Sequence, residues 1–313
     1  MKRALVTGGT GFLGRYLSAH LESEGWSVVA TSFHEPPLAQ RVPLHGSRAH
    51  LDVRDPSAVR RLVEELRPTA IFHFAGQAYV QPSYDDPAGT FDVNLRGTLN
   101  ILEAIRTVDP RCVLAFAGSG TEYGEPQRVP TPEDAPLLPT SPYATSKAAA
   151  DLLCYQYHKS AGIPVFRYRI FGTTGVGKVG DVCNDFASQI ARLERSTEPR
   201  SMAVGDLTRR RDILDVRDAV RAMLCIVERG KPGEAYNLGC GEAYEVRTIL
   251  DRLMAMASAP IAVTRDPARQ RTVDEPIHLG DTSRLRSLGW RPEFTLADSL
   301  RTILEDWRGR PPS

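Results

Sequence analysis

Beginning at the sixth residue, Val6-Thr7-Gly8-Gly9-Thr10-Gly11-Phe12-Leu13-Gly14 sets four glycines between an apolar run, Ala4-Leu5-Val6, and the stretch Arg15-Tyr16-Leu17-Ser18-Ala19-His20-Leu21. A glycine cluster where a strand turns into a helix permits a tight turn, close approach of the backbone to an anion, and direct packing of helix on strand. The helix N-terminus then offers N–H donors and the positive end of its dipole to phosphates. Gly8, Gly11 and Gly14, with Phe12 and Leu13 between them, are therefore expected to cradle a pyrophosphate. The spacing also satisfies the tighter Thr-Gly-x-x-Gly-x-x-Gly pattern, and a second apolar strand, Ser27-Val28-Val29-Ala30-Thr31, completes the first half of a βαβ unit.

The same rhythm continues. Strands are expected at 3–7, 27–31, 70–74, 112–117 and 164–170, with helices at 56–66, 88–107 and 142–160 between them. Short apolar strands alternating with amphipathic helices specify an α/β fold: a doubly wound, parallel Rossmann sheet covered on both faces. After residue 170 the pattern loosens, with helices expected near 181–195, 245–257 and 296–307. In 213–239, Asp215-Val216-Arg217-Asp218 opens a helix and Glu234-Ala235-Tyr236-Asn237-Leu238 reads as a strand returning to the sheet. The expected division is thus 1–170 plus 213–239 for the nucleotide-binding domain, and 171–212 plus 240–313 for a smaller, discontinuous C-terminal substrate-binding part.

Composition narrows the ligand. Lys+Arg 39 against Asp+Glu 38 leaves a net charge of +1, which points to neither nucleic acid nor an anionic membrane and favours a small molecule. The five cysteines (Cys112, Cys154, Cys183, Cys225, Cys240) are odd in number and lack CxxC spacing, so neither a disulfide framework nor a zinc site is expected, and no metal. Met1-Lys2-Arg3 leads straight into a strand, and no apolar stretch reaches membrane-span length, so the protein is expected in the cytoplasm.

A second constellation carries chemistry. Ser141-Pro142-Tyr143-Ala144-Thr145-Ser146-Lys147 begins a helix, with Ser141 as N-cap and Pro142 in the first turn. Tyr143 and Lys147, four apart, share a face, and an ammonium beside a phenol makes tyrosine a usable acid or base. One strand earlier, Phe116-Ala117-Gly118-Ser119-Gly120-Thr121-Glu122-Tyr123-Gly124 lies where the carboxyl ends of parallel strands border a ligand crevice, so Ser119 can meet Tyr143 across it.

These motifs, with Asp185-Phe186-Ala187-Ser188-Gln189-Ile190, Arg210-Arg211-Asp212-Ile213-Leu214-Asp215-Val216-Arg217-Asp218, Gly233-Glu234-Ala235-Tyr236-Asn237-Leu238-Gly239 and Asp266-Pro267-Ala268-Arg269-Gln270-Arg271, resemble the extended short-chain dehydrogenase/reductases. Within that family the chain is most similar to the GDP-4-keto-6-deoxy-mannose reductases and the related GDP-mannose 4,6-dehydratases, over essentially its whole length. The resemblance implies that Ser119, Tyr143 and Lys147 form the catalytic triad, that Asp52 and Val53 contact adenine, that Phe74 and Ala75 end a strand beside the cofactor, and that Asn94 is a structural asparagine. It places Arg211, Arg271 and Asp274 on the diphosphate and ribose of a nucleotide-diphospho-sugar, chemistry that suits guanidinium forks and a carboxylate. A homodimer through the helices near 95–106 and 145–158 is likewise implied.

Three departures stand out. Dehydratases of the family carry a substrate-facing glutamate where this chain has Thr121, with Glu122 one place later, so dehydration is not expected. Gly172 replaces an asparagine that contacts the diphosphate, and Thr272 replaces a loop proline. For the cofactor, Ser32 occupies the slot at the end of the second strand where NAD-preferring sites hold an acid, and a serine does not repel a 2′-phosphate. With His34 nearby to help hold that phosphate, NADP(H) is favoured and NAD(H) is the alternative. The expected reaction is reduction of a nucleotide-diphospho-4-keto-6-deoxy sugar, GDP-linked for preference. A 4-epimerase with tightly held NAD is the alternative, and a non-catalytic NADP(H)-binding sensor a remote one.

Overall fold

The computed structural model describes residues 2–34, 43–197, 199–266 and 275–311. Along these the strands are β1 (Arg3–Thr7), β2 (Ser27–Ser32), β3 (Ser47–His50), β4 (Ala70–His73), β5 (Val113–Ser119), β6 (Val165–Ile170), β7 (Gly172–Thr174), β8 (Ser201–Val204), β9 (Arg210–Asp215), β10 (Ala235–Leu238), β11 (Ala243–Glu245), β12 (Ala262–Arg265) and β13 (Ile277–His278). The helices are α1 (Phe12–Ser23), α2 (Pro56–Leu66), α3 (Val80–Asp85), α4 (Pro87–Phe91), α5 (Gly97–Val108), α6 (Pro142–Ala161), α7 (Val182–Glu194), α8 (Val216–Arg229), α9 (Val246–Ala255), α10 (Ser283–Ser287) and α11 (Leu296–Arg308).

Among the described residues, seven strands form one sheet in the order β10-β6-β5-β4-β1-β2-β3. Every pairing in it is parallel. Successive side chains of a strand face opposite ways, so a strand covered on both faces must be apolar throughout. In β1, Ala4 and Val6 join the core under α1 and α8 with Leu17, Leu21 and Met223, while Leu5 joins the core under α2, α5 and α6 with Val63, Ile105 and Cys154. Phe72 and Ile71 of β4 divide in the same way. This is the doubly wound arrangement that the alternation predicts.

A third core, with Phe186, Ile190, Leu250, Leu253, Leu300 and Ile303, holds α7, α9 and α11 together. Beside it lie two small sheets: β11-β9-β13, with β7 also on β9, and the pair β12-β8. β10 lies parallel to β6 at the edge of the large sheet, while residues 213–215 of the same sequence segment finish β9 in the small one. Among the described residues no helix is long and apolar enough to cross a membrane.

One expected helix differs. The segment 88–107 is interrupted: α4 and α5 are joined by a π-helical turn, Asp92–Arg96. The wider turn carries Asn94, which accepts the Gln77 N–H at 2.8 Å and donates to Gln77 O at 3.0 Å and Ser146 Oγ at 2.9 Å, tying the end of β4 to α6. Such bulges commonly sit at functional sites.

His73, at the end of β4, is fully buried between Thr7 Oγ1 (2.7 Å from Nδ1) and Thr98 Oγ1 (3.1 Å from Nε2). Since Thr98 donates its own proton to Asn94 O, the imidazole donates from Nε2 and accepts at Nδ1, the neutral form. Burial, helped by Lys147, lowers its pKa to about 3. Between that value and the unfolded-state value the native chain binds fewer protons than the unfolded one, so stability falls as pH drops through the window from about 6.5 to 3, by on the order of 3–5 kcal/mol. Urea titrations of His73→Gln across this window should give a pH dependence shallower by up to about one proton; an unchanged slope would remove His73 from the account.

Candidate active site

At the turn after β1, Gly8 adopts φ +66°, and a Cβ there would fall 2.7 Å from Ala75 N. The Gly9 N–H donates to Thr31 O, and Gly11 N–H donates back to Gly8 O, closing the turn. Gly11 caps α1 with no side-chain hydrogen bond, so the first-turn amides of Phe12, Leu13 and Gly14 lack intrahelical acceptors. A Cβ on Gly14 would lie 2.4 Å from Gly8 O and 2.6 Å from Gly9 Cα. Every extra atom in this cradle would meet backbone, and the open donors at its rim suit a dinucleotide's pyrophosphate. Phe74 and Ala75 border it, the Ala75 N–H donating to Thr7 Oγ1 at 3.2 Å.

Ser32 ends β2, with His34 just beyond it, and Asp52 and Val53 follow the end of β3. Ser32 is half-buried and pairs with His50 in register; His34 is exposed, its ring 4.4 Å from that of Phe33. Asp52 is held by Arg54 in a two-pronged ion pair at 2.8–3.1 Å, a contact that holds its carboxyl below the usual range, and the Arg54 guanidinium lies 5.1 Å over the Phe33 ring. Val53 is buried, its carbonyl accepting from Asn100 at 2.8 Å. Two cations absent from the sequence reasoning join this region. Buried Arg15 donates to Thr10 O at 2.7 Å, and burial, followed by repulsion from Arg48 on β3, lowers its pKa. Its position directly after Gly14 was the available signal.

Ser119 ends β5, and the chain turns at once into a single 3₁₀ turn, Gly120–Tyr123. Its Oγ lies 2.9 Å from Thr121 Oγ1 and faces the Tyr143 phenol closely enough to favour its ionised form. Ser141 caps α6 by accepting from Ala144 N, with Pro142 in the first turn, and the Tyr143 N–H donates to Ser83 Oγ at 3.1 Å. One turn on, the buried Lys147 ammonium donates to Ala117 O at 2.8 Å. Burial pushes the Tyr143 phenol up to about 12, against the pull of Ser119, and lowers Lys147 to about 8. The three side chains therefore converge between β5 and α6, beside the end of β4.

Behind them is a buried charge network that sequence reasoning did not single out. Asp151 of α6 accepts from Arg167 at 2.5 Å and from Arg169 at 3.0 and 3.2 Å. Arg169 also donates to Tyr123 Oη and Glu133 O, and Tyr123 donates to Asn237 Oδ1 at 2.7 Å, joining α6, β6, β10 and the 3₁₀ turn.

Arg211 on β9 donates from Nη1 to the carbonyls of Arg210 and Glu275, both at 2.9 Å. Arg271, Thr272 and Asp274 lie outside the described residues. Thr121 is half-buried beside Ser119. The glycine at 172 has a local reason: β7 runs so close to β9 that a Cβ there would lie 2.1 Å from Asp212 O. Among the described residues no cluster of His, Cys, Asp or Glu could hold a metal ion.

Comparison with known proteins fits this geometry. Residues 5–303 match the sequence model of the GDP-mannose 4,6 dehydratase family. The chain belongs to that family. Over 313 residues, 99% of this chain and 98% of the relative, it is 35% identical to GDP-6-deoxy-D-mannose reductase of Pseudomonas aeruginosa. The structure of RMD from Pseudomonas aeruginosa complexed with NADPH superposes with a TM-score of 0.87 at 33% identity, covering 99% of this chain and 100% of that one. The UDP-glucose 4-epimerase of Thermus thermophilus in complex with NAD gives 0.86 at 31% identity, covering 98% and 99%. Family members are thus similar enough in backbone for the glycine turn to be tested directly. Gly14→Ala should weaken NADPH binding at least about tenfold and cost roughly 1–3 kcal/mol of stability, read by fluorescence titration and thermal melts, because the added methyl meets backbone that cannot step aside. Undiminished NADPH affinity would move the phosphates elsewhere.

Proposed function

We propose that this enzyme reduces a nucleotide-diphospho-4-keto-6-deoxy sugar, GDP-linked for preference, with NADPH as the favoured cofactor and NADH as the alternative. The observation that carries this choice is the 35% identity, end to end, with a GDP-6-deoxy-D-mannose reductase. The glycine turn fits a dinucleotide, and Ser32 with the nearby cations Arg15 and Arg48 supports one bearing an extra phosphate. When bound, the reduced nicotinamide supplies the hydride. Tyr143, whose high pKa keeps it a phenol near neutral pH, protonates the sugar oxygen as the carbonyl is reduced. Ser119 donates to the same oxygen, and Lys147, anchored on Ala117 O, places a positive charge beside the phenol. Arg211, with Arg271 and Asp274, grips the diphosphate and ribose. Nothing on Thr121 can remove a carbon-bound proton, which supports reduction over dehydration.

The enzyme acts in the cytoplasm as a homodimer in this assignment; exposed Leu152 and Tyr155 on α6 support pairing through that helix. A second reading, epimerisation at C4 with a resident NAD, is favoured by the similarity to the NAD-bound epimerase.

Mixing the protein with NADPH and 4-keto-6-deoxy sugars carrying GDP, dTDP, CDP or UDP should oxidise one cofactor per sugar, with the GDP-linked substrate first. Conversion of an ordinary nucleotide hexose to its 4-epimer without added cofactor would overturn the reductase. In the same assay Tyr143→Phe should retain NADPH binding while kcat falls by about two to four orders of magnitude, the scale of losing a placed proton donor. Near-normal turnover would return Tyr143 to a structural role.

A further inference from the structure

Directly behind the proposed catalytic pair sits a carboxyl that this reaction does not use. Glu122 is fully buried in the 3₁₀ turn, one residue past the position where family dehydratases hold their glutamate, and it faces inward. Its Oε1 accepts the Ser119 N–H at 2.6 Å and packs so flat on β5 that a Cβ at Gly118 would lie 2.5 Å away. Its Oε2 is buried with no hydrogen-bond partner; the Arg169 Nε is 3.6 Å off, beyond hydrogen-bond length. The charged and titratable groups around it come from every neighbouring element: Tyr143, Lys147, Asp151 and Cys154 from α6, Arg169 from β6, and Tyr123 from its own turn. Arg167 reaches Asp151, and His278 of β13 lies against Gly120.

We infer that Glu122 is a positioning residue for the reduction proposed above, on which this inference rests: one oxygen fixes the backbone of Ser119, and the other makes a proton-exchanging site coupled to Lys147 and Tyr143. Burial, reinforced by the Asp151 carboxylate, pushes Glu122 up to about 8 despite Arg169, while burial brings Lys147 down to about 8 despite Glu122. Both groups therefore change charge over one pH range. Below it Glu122 is a neutral acid. As pH rises through about 8 it ionises, and its negative charge favours the ammonium of Lys147 and opposes the phenolate of Tyr143, so both stay in their acid forms to higher pH. The carboxyl thus extends, from behind the site, the range in which Tyr143 can donate a proton.

The test is the pH dependence of kcat/KM for wild type and Glu122→Gln between about pH 6 and 10. Glutamine keeps an acceptor for Ser119 and mimics the neutral acid. Relative to its own low-pH plateau, the basic limb of the variant should move down by about half a pH unit or more, because a fixed neutral group no longer holds the ammonium. Superimposable profiles would overturn the proposal. A measurement without turnover keeps it separable from the choice of substrate and from any folding defect of the variant. Infrared difference spectra of the wild-type protein with ¹³C-labelled glutamate should show a protonated carboxyl at neutral pH that ionises above it; a fully ionised glutamate population at about pH 6 would equally overturn it, whatever sugar is reduced.

Discussion

Backbone-on-backbone packing at the first turn is the constraint on which the rest of this structure depends. Gly9 sits against Ala30 of β2, Gly8 against Ala75 after β4, and Gly14 against Gly8 itself, all closer than any side chain would allow. These contacts draw α1 onto the sheet and set the ends of β1, β2 and β4 at one level, which is where a parallel sheet opens its crevice. They also leave the helix N-terminus uncapped by any side chain. A helix end buried without partners is costly, so the turn is poised for an anion in the same way that it is poised for close packing. One sequence feature therefore defines the architecture and the ligand together.

The opposite end of the crevice is held by charge. Asp151, Arg167 and Arg169 are all nearly or fully buried between α6 and β6, and a buried ion is tolerated only where partners compensate for lost hydration. Asp151 does this for both arginines, and Arg169 spends its remaining donors on Tyr123 and Glu133 O. The consequence is a rigid back wall for Ser119 and Lys147. Such a network adds specificity of position more than net stability, since a hydrophobic replacement could pack as well. It fixes where the 3₁₀ turn and α6 stand relative to each other, and so the distance between the hydroxyls that the chemistry needs.

How much of this could be read from the chain follows the physics of each element. β1, β2, β4, β5 and β6 were legible because strands buried on both faces must be continuous apolar runs, as Ala70-Ile71-Phe72 and Leu114-Ala115-Phe116 are. β3, Ser47-Arg48-Ala49-His50, was not, because an edge strand exposed to solvent carries no such run. Most strands of the small sheets escaped notice for another reason: at two to four residues, as in β7 and β13, they are formed by tertiary pairing and have no period to detect. The π turn hid inside the helical pattern because its residue types are those of an ordinary helix, and only the backbone bonding distinguishes it. Ser119, Tyr143 and Lys147 could be named because helix spacing and strand ends are local geometry. The Arg167–Asp151–Arg169 cluster could not, because its members look like ordinary surface charges until α6 is laid against β6.

The departures from the family pattern have local causes that point in one direction. Gly172 is required by the approach of β7 to Asp212 O, which lets β7 pair closely with β9. Thr121 leaves a hydroxyl in hydrogen-bond contact with Ser119 where a base would stand, and the carboxyl one place on is turned into the protein, where its first oxygen is committed to the Ser119 N–H. At the other end of the crevice no arginine follows Ser32 on β2 itself, yet Arg15 and Arg48 come from α1 and β3 close enough to repel each other. A hydroxyl in place of a base, with the neighbouring Ser119 braced from behind by an inward-turned carboxyl, suits donation of a proton to a sugar oxygen and not removal of one from carbon.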